Sequence, residues 1–388
     1  MRPSPRVVAG WLLLAPLSSA PAQDTPAPAR SYFVYVVSEA VDSVQLVRFG
    51  PGGLSLEHAF TIGVLPTDPD GPHGVAVAPD GRHYFVSTGH GTPFGSLWKY
   101  TTGNDRPTGR VELGPFPATV AISPDGYLAY VVNFNLFGEK VPSSVSVVAT
   151  DEMAEIKRIP TCTMPHGSRL SPDGKHHYSA CMMDDMLVEI DTRKLAVSRY
   201  FVLRKGQERG MVGAPFPAAS GNAEHMAGHD MSGHGMEPSK PGDVSCSPTW
   251  AQPSADGRRV FVACNKANDI AEIDAGSWTL TRRWPAGDGV YNLAVTHDGK
   301  LLLATNKRGQ SVSVFDAGTG KELKRLPTRR KVVHGVAVSP DDRYAFVSVE
   351  GIGSEPGTVE VIDLGTLTTV ATLDVGAMAA GLDVWKVE

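Results

Sequence analysis

Gly74-Val75-Ala76-Val77-Ala78-Pro79-Asp80-Gly81-Arg82-His83-Tyr84-Phe85-Val86 holds two short apolar runs around one tight turn. Pro presets a turn dihedral, Asp bonds its own backbone and Gly accepts a positive φ, so the stretch reads as a β-hairpin. The same turn returns as Ser123-Pro124-Asp125-Gly126, Ser171-Pro172-Asp173-Gly174, Ser254-Ala255-Asp256-Gly257, Thr296-His297-Asp298-Gly299 and Ser339-Pro340-Asp341-Asp342. A third strand follows in each repeat, as in Val188-Glu189-Ile190-Asp191, Ile270-Ala271-Glu272-Ile273-Asp274, Val312-Ser313-Val314-Phe315-Asp316 and Val359-Glu360-Val361-Ile362-Asp363. Edge strands such as Glu322-Leu323-Lys324-Arg325-Leu326 complete the unit. Four strands per repeat make the blade of a β-propeller.

The turn aspartates fall at 80, 125, 173, 256, 298 and 341, spaced by 45, 48, 83, 42 and 43 residues. Four of the five spacings are one blade long. The fifth is a blade plus an insertion at 204–243, which shows no strand pattern. Tyr32 to Phe60 supplies three strands without an innermost one, and Ala380-Gly381-Leu382-Asp383-Val384 supplies an innermost strand alone. The expected fold is therefore all-β: a seven-bladed β-propeller of four-stranded blades over 31–388, closed by N- and C-terminal strands that share one blade. Closure of this kind removes free sheet edges.

The segments Tyr130-Val131-Val132-Asn133, Ala304-Thr305-Asn306 and Val145-Ser146-Val147-Val148, each in phase with the turn, resemble YVTN-type repeats. That resemblance places the chain with the cytochrome-d1-like and lactonase-like seven-bladed propellers. It covers the repeats apart from the insertion and implies the fold, while propellers host many unrelated activities. The Gly-His and Trp-Asp dipeptides of WD40 blades are not repeated.

Composition agrees with this reading. Of 388 residues, 41 are Gly and 30 Pro, 41% are apolar and 20% charged, which excludes long helical bundles and a chain disordered throughout. Residues 1–22 read as a signal peptide: Arg2 and Arg6, an apolar stretch from Val7 to Leu17, then Ala20-Pro21-Ala22 before Gln23. Residues 23–30 are a flexible lead-in. No apolar run is long enough to span a bilayer. Loss of two Arg and no acid leaves the mature chain more acidic than the −5 of the full sequence, so neither nucleic acid nor anionic lipid is an expected partner. An exported location, periplasmic or extracellular, follows.

Four Cys in an exported chain favour disulfides. Cys162 and Cys181 lie 11 before and 8 after their turn aspartate; Cys246 and Cys264 lie 10 before and 8 after theirs. The expected bridges are Cys162–Cys181 and Cys246–Cys264, because both places neighbour each other in a hairpin. Pairing across adjacent blades, or Cys162, Met164 and His166 as alternating copper ligands, are the alternatives. Without Cys-x-x-Cys-His, c-type haem is not expected, and the absence of Cys-x-x-Cys argues against a zinc ribbon or thioredoxin-like site.

Seven residues before each turn aspartate stand His73, Ala118, His166, Thr249, Tyr291 and His334, with Ala380 at the closure. This position opens the innermost strand, so three histidines are expected to ring one mouth of the central channel. Convergent imidazoles suit copper, zinc or iron; the competing view is a repeat consensus in which each ring bonds a neighbouring blade's carbonyl. The insertion adds His225, Met226, His229, Met231, His234 and Met236, a thioether and imidazole set suited to copper(I).

Enzyme signatures are missing: no Gly-x-Ser-x-Gly, His-Glu-x-x-His or Gly-rich phosphate loop occurs. Asp184, Asp185, Glu189 and Asp383 are candidate mouth acids, Trp250 and Tyr291 candidate members of an axial cluster, and Arg169 a charge whose facing the sequence leaves open. The expected function is non-enzymatic binding of a metal ion, copper first, or a small ligand at the channel mouth. A lactonase-like or metal-dependent oxidoreductase enzyme is the second reading, and a surface adhesion or protein-partner module the third.

Overall fold

A computed structural model describes residues 27–63, 69–90, 94–216 and 244–388. Within them, seven antiparallel sheets form a β-propeller, six of four strands and one of five. The innermost strands are Pro72–Val77, Pro117–Ile122, Pro165–Leu170, Pro248–Pro253, Val290–Val295, Val333–Val338 and Ala379–Val387. We number the blades from the shared one, so these belong to blades 2 to 7 and blade 1. In blade 1, Tyr32–Ser38 pairs with Ser43–Gly50 on one side and with the C-terminal strand on the other, Val34 facing Val384. Two chain ends thus close the ring.

The turns are built as their residues dictate. Asp125 accepts the N–H of Tyr127 at 3.1 Å and Asp173 that of Lys175 at 3.1 Å. Gly81, Gly126, Gly174, Gly257 and Gly299 all hold positive φ, and Asp342 takes the same role in blade 7 at φ 55°. The Asn that ends the Tyr130–Asn133 motif is buried and donates to Ser144 and Ser146 Oγ, both at 2.9 Å, pinning the third strand. Asn306 does the same to Ser311 and Ser313.

Both disulfides form as expected, Cys162–Cys181 and Cys246–Cys264. Cys162 is the penultimate residue of the outer strand of blade 3, Ala154–Thr163, so its bridge ties that blade to the second strand of blade 4, His176–Cys181. The insertion departs from its strandless reading in one place. Arg209–Val212 pairs with Ala196–Val202 as a fifth, exposed strand of blade 4. Its four residues offer no buried side to alternate against, so periodicity had nothing to register. The signal segment 1–22 and the residues His225, Met226, His229, Met231, His234 and Met236 lie outside the described residues.

Candidate functional site at the propeller axis

Each residue seven before a turn aspartate is the second residue of its innermost strand. There the ladder to the second strand skips register in every blade, between Pro72 and Gly74, Pro165 and Ser168, Val333 and Val336, and at the equivalent places. A bulge re-aims the side chain it carries. Here it turns His73, His166, Tyr291 and His334 toward one another. The Gly after each His serves the same approach: a Cβ at Gly74 would stand 2.2 Å from the Ala118 carbonyl, and one at Gly167 2.3 Å from that of Thr249.

His73 meets His166 and His334 edge to face, and Tyr291 meets them at a tilt. Centroids are 5.7 Å apart for His73 and His166, 5.2 Å for His73 and His334, and 5.2 and 5.0 Å from Tyr291 to His166 and His334. All four side chains are buried, none more than 5% exposed. The cluster therefore lies beneath the mouth rather than on its rim.

Hydrogen bonding assigns the tautomers. His166 Nδ1 lies 3.0 Å from the Thr249 carbonyl and so carries the proton, leaving Nε2 to accept from the Tyr291 hydroxyl at 2.9 Å. That hydroxyl has one proton, so His334 Nε2, 3.4 Å from the same oxygen, is the donor. His334 Nδ1 is then a bare acceptor, and it is buried without a partner. His73 Nδ1 lies 2.5 Å from Glu39 Oε1. Only His166 thus matches the repeat-consensus pattern of a ring bonding a neighbouring blade's carbonyl.

Burial, reinforced by His73, holds the His166 pKa down at about 3. Burial and the Lys307 ammonium hold His334 well below the ordinary imidazole range. Both rings are neutral at neutral pH. Burial also pushes the Tyr291 phenol up to about 12. Beside them Lys307 and Glu350 form a buried ion pair at 2.8 Å, with the ammonium 4.3 Å from the Tyr291 ring centroid. Burial opposes the lysine's charge, but Glu350 and Tyr291 outweigh it and raise its pKa.

Glu39, Lys307 and Glu350 were not among the expected residues, yet the repeat marks them. Lys307 and Glu350 stand nine residues after their turn aspartates, where other blades carry Gly89, Phe134, Met182 and Asn265, and Glu39 follows the matching strand of blade 1. Charge in a position otherwise filled by uncharged residues was the available signal.

The candidate acids separate. Glu189 is bound by Arg199 at 2.6 Å, Asp185 accepts the Ser247 N–H, and Asp184 accepts the Thr163 N–H. These three are structural. Asp383 does line the axis, accepting the Val77 N–H at 2.8 Å, and burial raises its pKa. Arg169 faces the axis too, with its guanidinium 4.5 Å from the centroid of Trp250. Toward the Pro-Asp-Gly turns the axis widens into a cavity of about 390 Å³. Four residues before the turn aspartate, the ring around this cavity reads Ala76, Ala121, Arg169, Gln252, Ala294, Ala337 and Asp383. Among the described residues, no group of three or more His, Cys, Asp or Glu side chains stands ready to hold a metal ion.

No protein-family model matches the chain, and no curated protein matches it. Solved structures do. A chain of hydrazine synthase from Kuenenia stuttgartiensis shares 21% identity at a TM-score of 0.60, over 82% of this chain and 91% of that one. A putative 6-phosphogluconolactonase from Bacteroides uniformis shares 14% at 0.65, over 91% and 99%. The dihydro-haem d1 dehydrogenase NirN, in complex with DHE, shares 15% at 0.54, over 92% and 66%. At such identities the likeness concerns the fold, and with the seven sheets described above it identifies the chain as a seven-bladed β-propeller of four-stranded blades.

Proposed function

We propose that this chain is an exported, non-enzymatic binding propeller, and that His73, His166, His334 and Tyr291 form its axial ligand site, with copper the metal the donors suit best. One observation carries the reading: His166 and His334 turn their Nε2 atoms to a single phenol oxygen while burial keeps both imidazoles neutral. Neutral imidazole is the ligating form: His166 Nε2 is already bare, and His334 would present its Nε2 once that proton moves to the partnerless Nδ1. Glu39 on His73 Nδ1 is the outer carboxylate that orients a ligating ring and leaves Nε2 with its lone pair. A bound ion would replace the bonds to the Tyr291 hydroxyl and draw the rings inward. The His225–Met236 stretch adds a second, softer donor set. Export is supported by two disulfides, and among the described residues no helix is long and apolar enough to cross a membrane.

Copper content and titration with copper(I) and copper(II) test this on the full mature chain, a His73/His166/His334 triple alanine variant and a 222–240 deletion. The expected result is one equivalent lost in the triple variant, with the deletion losing only the softer capacity. Unchanged uptake in both folded variants overturns the reading.

An enzyme remains the second reading on a specific ground. Tyr291 sits between two neutral imidazoles beside the Lys307–Glu350 pair, an arrangement able to move a proton. Lactone hydrolysis that survives metal supplementation and disappears in Tyr291→Phe would establish it in place of pure binding.

A further inference from the structure

Between the His/Tyr cluster and the wide part of the axis lies a second, smaller cavity of about 30 Å³, lined by His73, Thr119, Arg169, Trp250, Asn292 and His334. It has room for about two water-sized groups. Three lining side chains, none more than 5% exposed, carry a buried polar atom with no hydrogen-bond partner: Trp250 Nε1, Asn292 Oδ1 and His334 Nδ1. Orphan polar atoms are rare in folded proteins, and three around one cavity mark a place that calls for a polar occupant.

Arg169 adds charge to that place. It stands in a ring position held by Ala in four other blades. Its guanidinium stacks on Trp250 and makes one hydrogen bond, from Nη1 to the Ser168 carbonyl at 3.0 Å. It forms no ion pair among the described residues. Burial lowers its pKa to about 10, opposed by Asp383, so it stays cationic at neutral pH. A half-buried cation without an ion-pair partner is costly unless something supplies one.

We propose that this junction binds a small monocarboxylate, its head against Arg169 and Trp250 Nε1 and its apolar remainder in the 390 Å³ cavity. A planar guanidinium fork matches a carboxylate, and the indole N–H is a donor without a competing partner. Turning the Asn292 amide over replaces its orphan oxygen with a donor toward the anion. His334 Nδ1, an acceptor, takes a hydrogen bond from a water carried in with the head. Val75, Val120, Ala294, Val336 and Leu382 line the space for the remainder. Asp383 shares that wall, so a second negative charge on the ligand would be repelled. The site lies on the far side of the His cluster from the ion pair and needs no metal.

Calorimetric titration and thermal unfolding of the full mature chain in chelator-containing buffer test this, with sodium formate, acetate, butyrate and succinate against sodium chloride at equal ionic strength. Acetate and butyrate are expected to give saturable heats and a raised Tm that chloride and succinate do not. Arg169→Gln is expected to abolish binding, and Trp250→Phe, which keeps a ring but removes the donor, to weaken it by about tenfold. If Arg169→Gln does not fold, Arg169→Lys, which keeps charge but loses the fork, is expected to weaken acetate binding too. Chloride matching acetate, succinate matching butyrate, or any of these folded variants binding acetate like the wild type overturns the proposal. So does the absence of saturable heat with every carboxylate. Because chelator removes copper, these outcomes are separate from the fate of the metal reading.

Discussion

Where the innermost strands begin, His73, His166, Tyr291 and His334 close on one another with centroids 5.0 to 5.7 Å apart, while three residues further along the same strands enclose about 390 Å³. The strands are the same seven, so the difference lies in side chains and in one bulge. At the first level, large rings are re-aimed inward and fill the axis. At the second, four alanines leave it open, and Arg169, Gln252 and Asp383 are the polar exceptions. One end of the axis is therefore filled by buried aromatic rings, and the other is a space edged by the Arg169 and Asp383 side chains. A propeller ring supplies seven copies of each position, and a few substitutions in one level suffice to give it chemistry.

Acid is expected to break this contrast most strongly. A histidine held neutral by burial binds fewer protons folded than unfolded, so its stabilising share is complete above its unfolded pKa of about 6.5 and is lost as pH falls. With His166 and His177 both held near 3, stability should drop by about 1.4 kcal/mol per pH unit for each between pH 6.5 and 3. Denaturant melts across that range measure it. His177, in blade 4 and stacked on Tyr130 of blade 3, is off the axis, so His177→Phe should remove its share and leave the share of His166.

Next in size is the buried ion pair. Glu350→Ala strands the Lys307 ammonium and should cost about 3–5 kcal/mol by urea unfolding. Lys307→Met combined with Glu350→Leu should recover most of that, unless the pair is needed to hold Tyr291 in place. Disulfide removal separates fold from site. Cys246→Ala with Cys264→Ala, opening a bridge between residues 18 apart, should cost about 3 kcal/mol in guanidinium without altering copper uptake. Tyr291→Phe should cost only about 1 kcal/mol by the same measurement, since it removes one shared hydroxyl. If the copper reading holds, its effect on metal affinity should exceed its effect on stability.

Much of this architecture is visible in the repeat. The turn aspartates set the blade spacing, the residue seven before them named the four axial rings, and the cysteines on either side of the turn paired as expected, although Cys162 reaches its partner from the outer strand of blade 3. The same ruler also marks Arg169 and Asp383 four before the turn, and Lys307 and Glu350 nine after it. Arg169 and Asp383 stand out in the sequence as a charge of open facing and a candidate mouth acid; Lys307 and Glu350 do not, because a charged residue near a strand end ordinarily faces water. The fifth strand of blade 4 had no such mark, since Arg209–Val212 is exposed on both sides and carries no apolar period.

The chain's own order of residues specified six hairpins, a seventh blade closed through both termini and the strand position that faces the axis, since turn chemistry and strand period are local properties. Which nitrogen of His166 carries its proton, why His334 keeps a bare one, and that Lys307 meets Glu350 from the neighbouring blade depend on distances between residues far apart in sequence. Burial then decides their charge, because the cost of an ion is set by everything packed around it rather than by its neighbours along the chain.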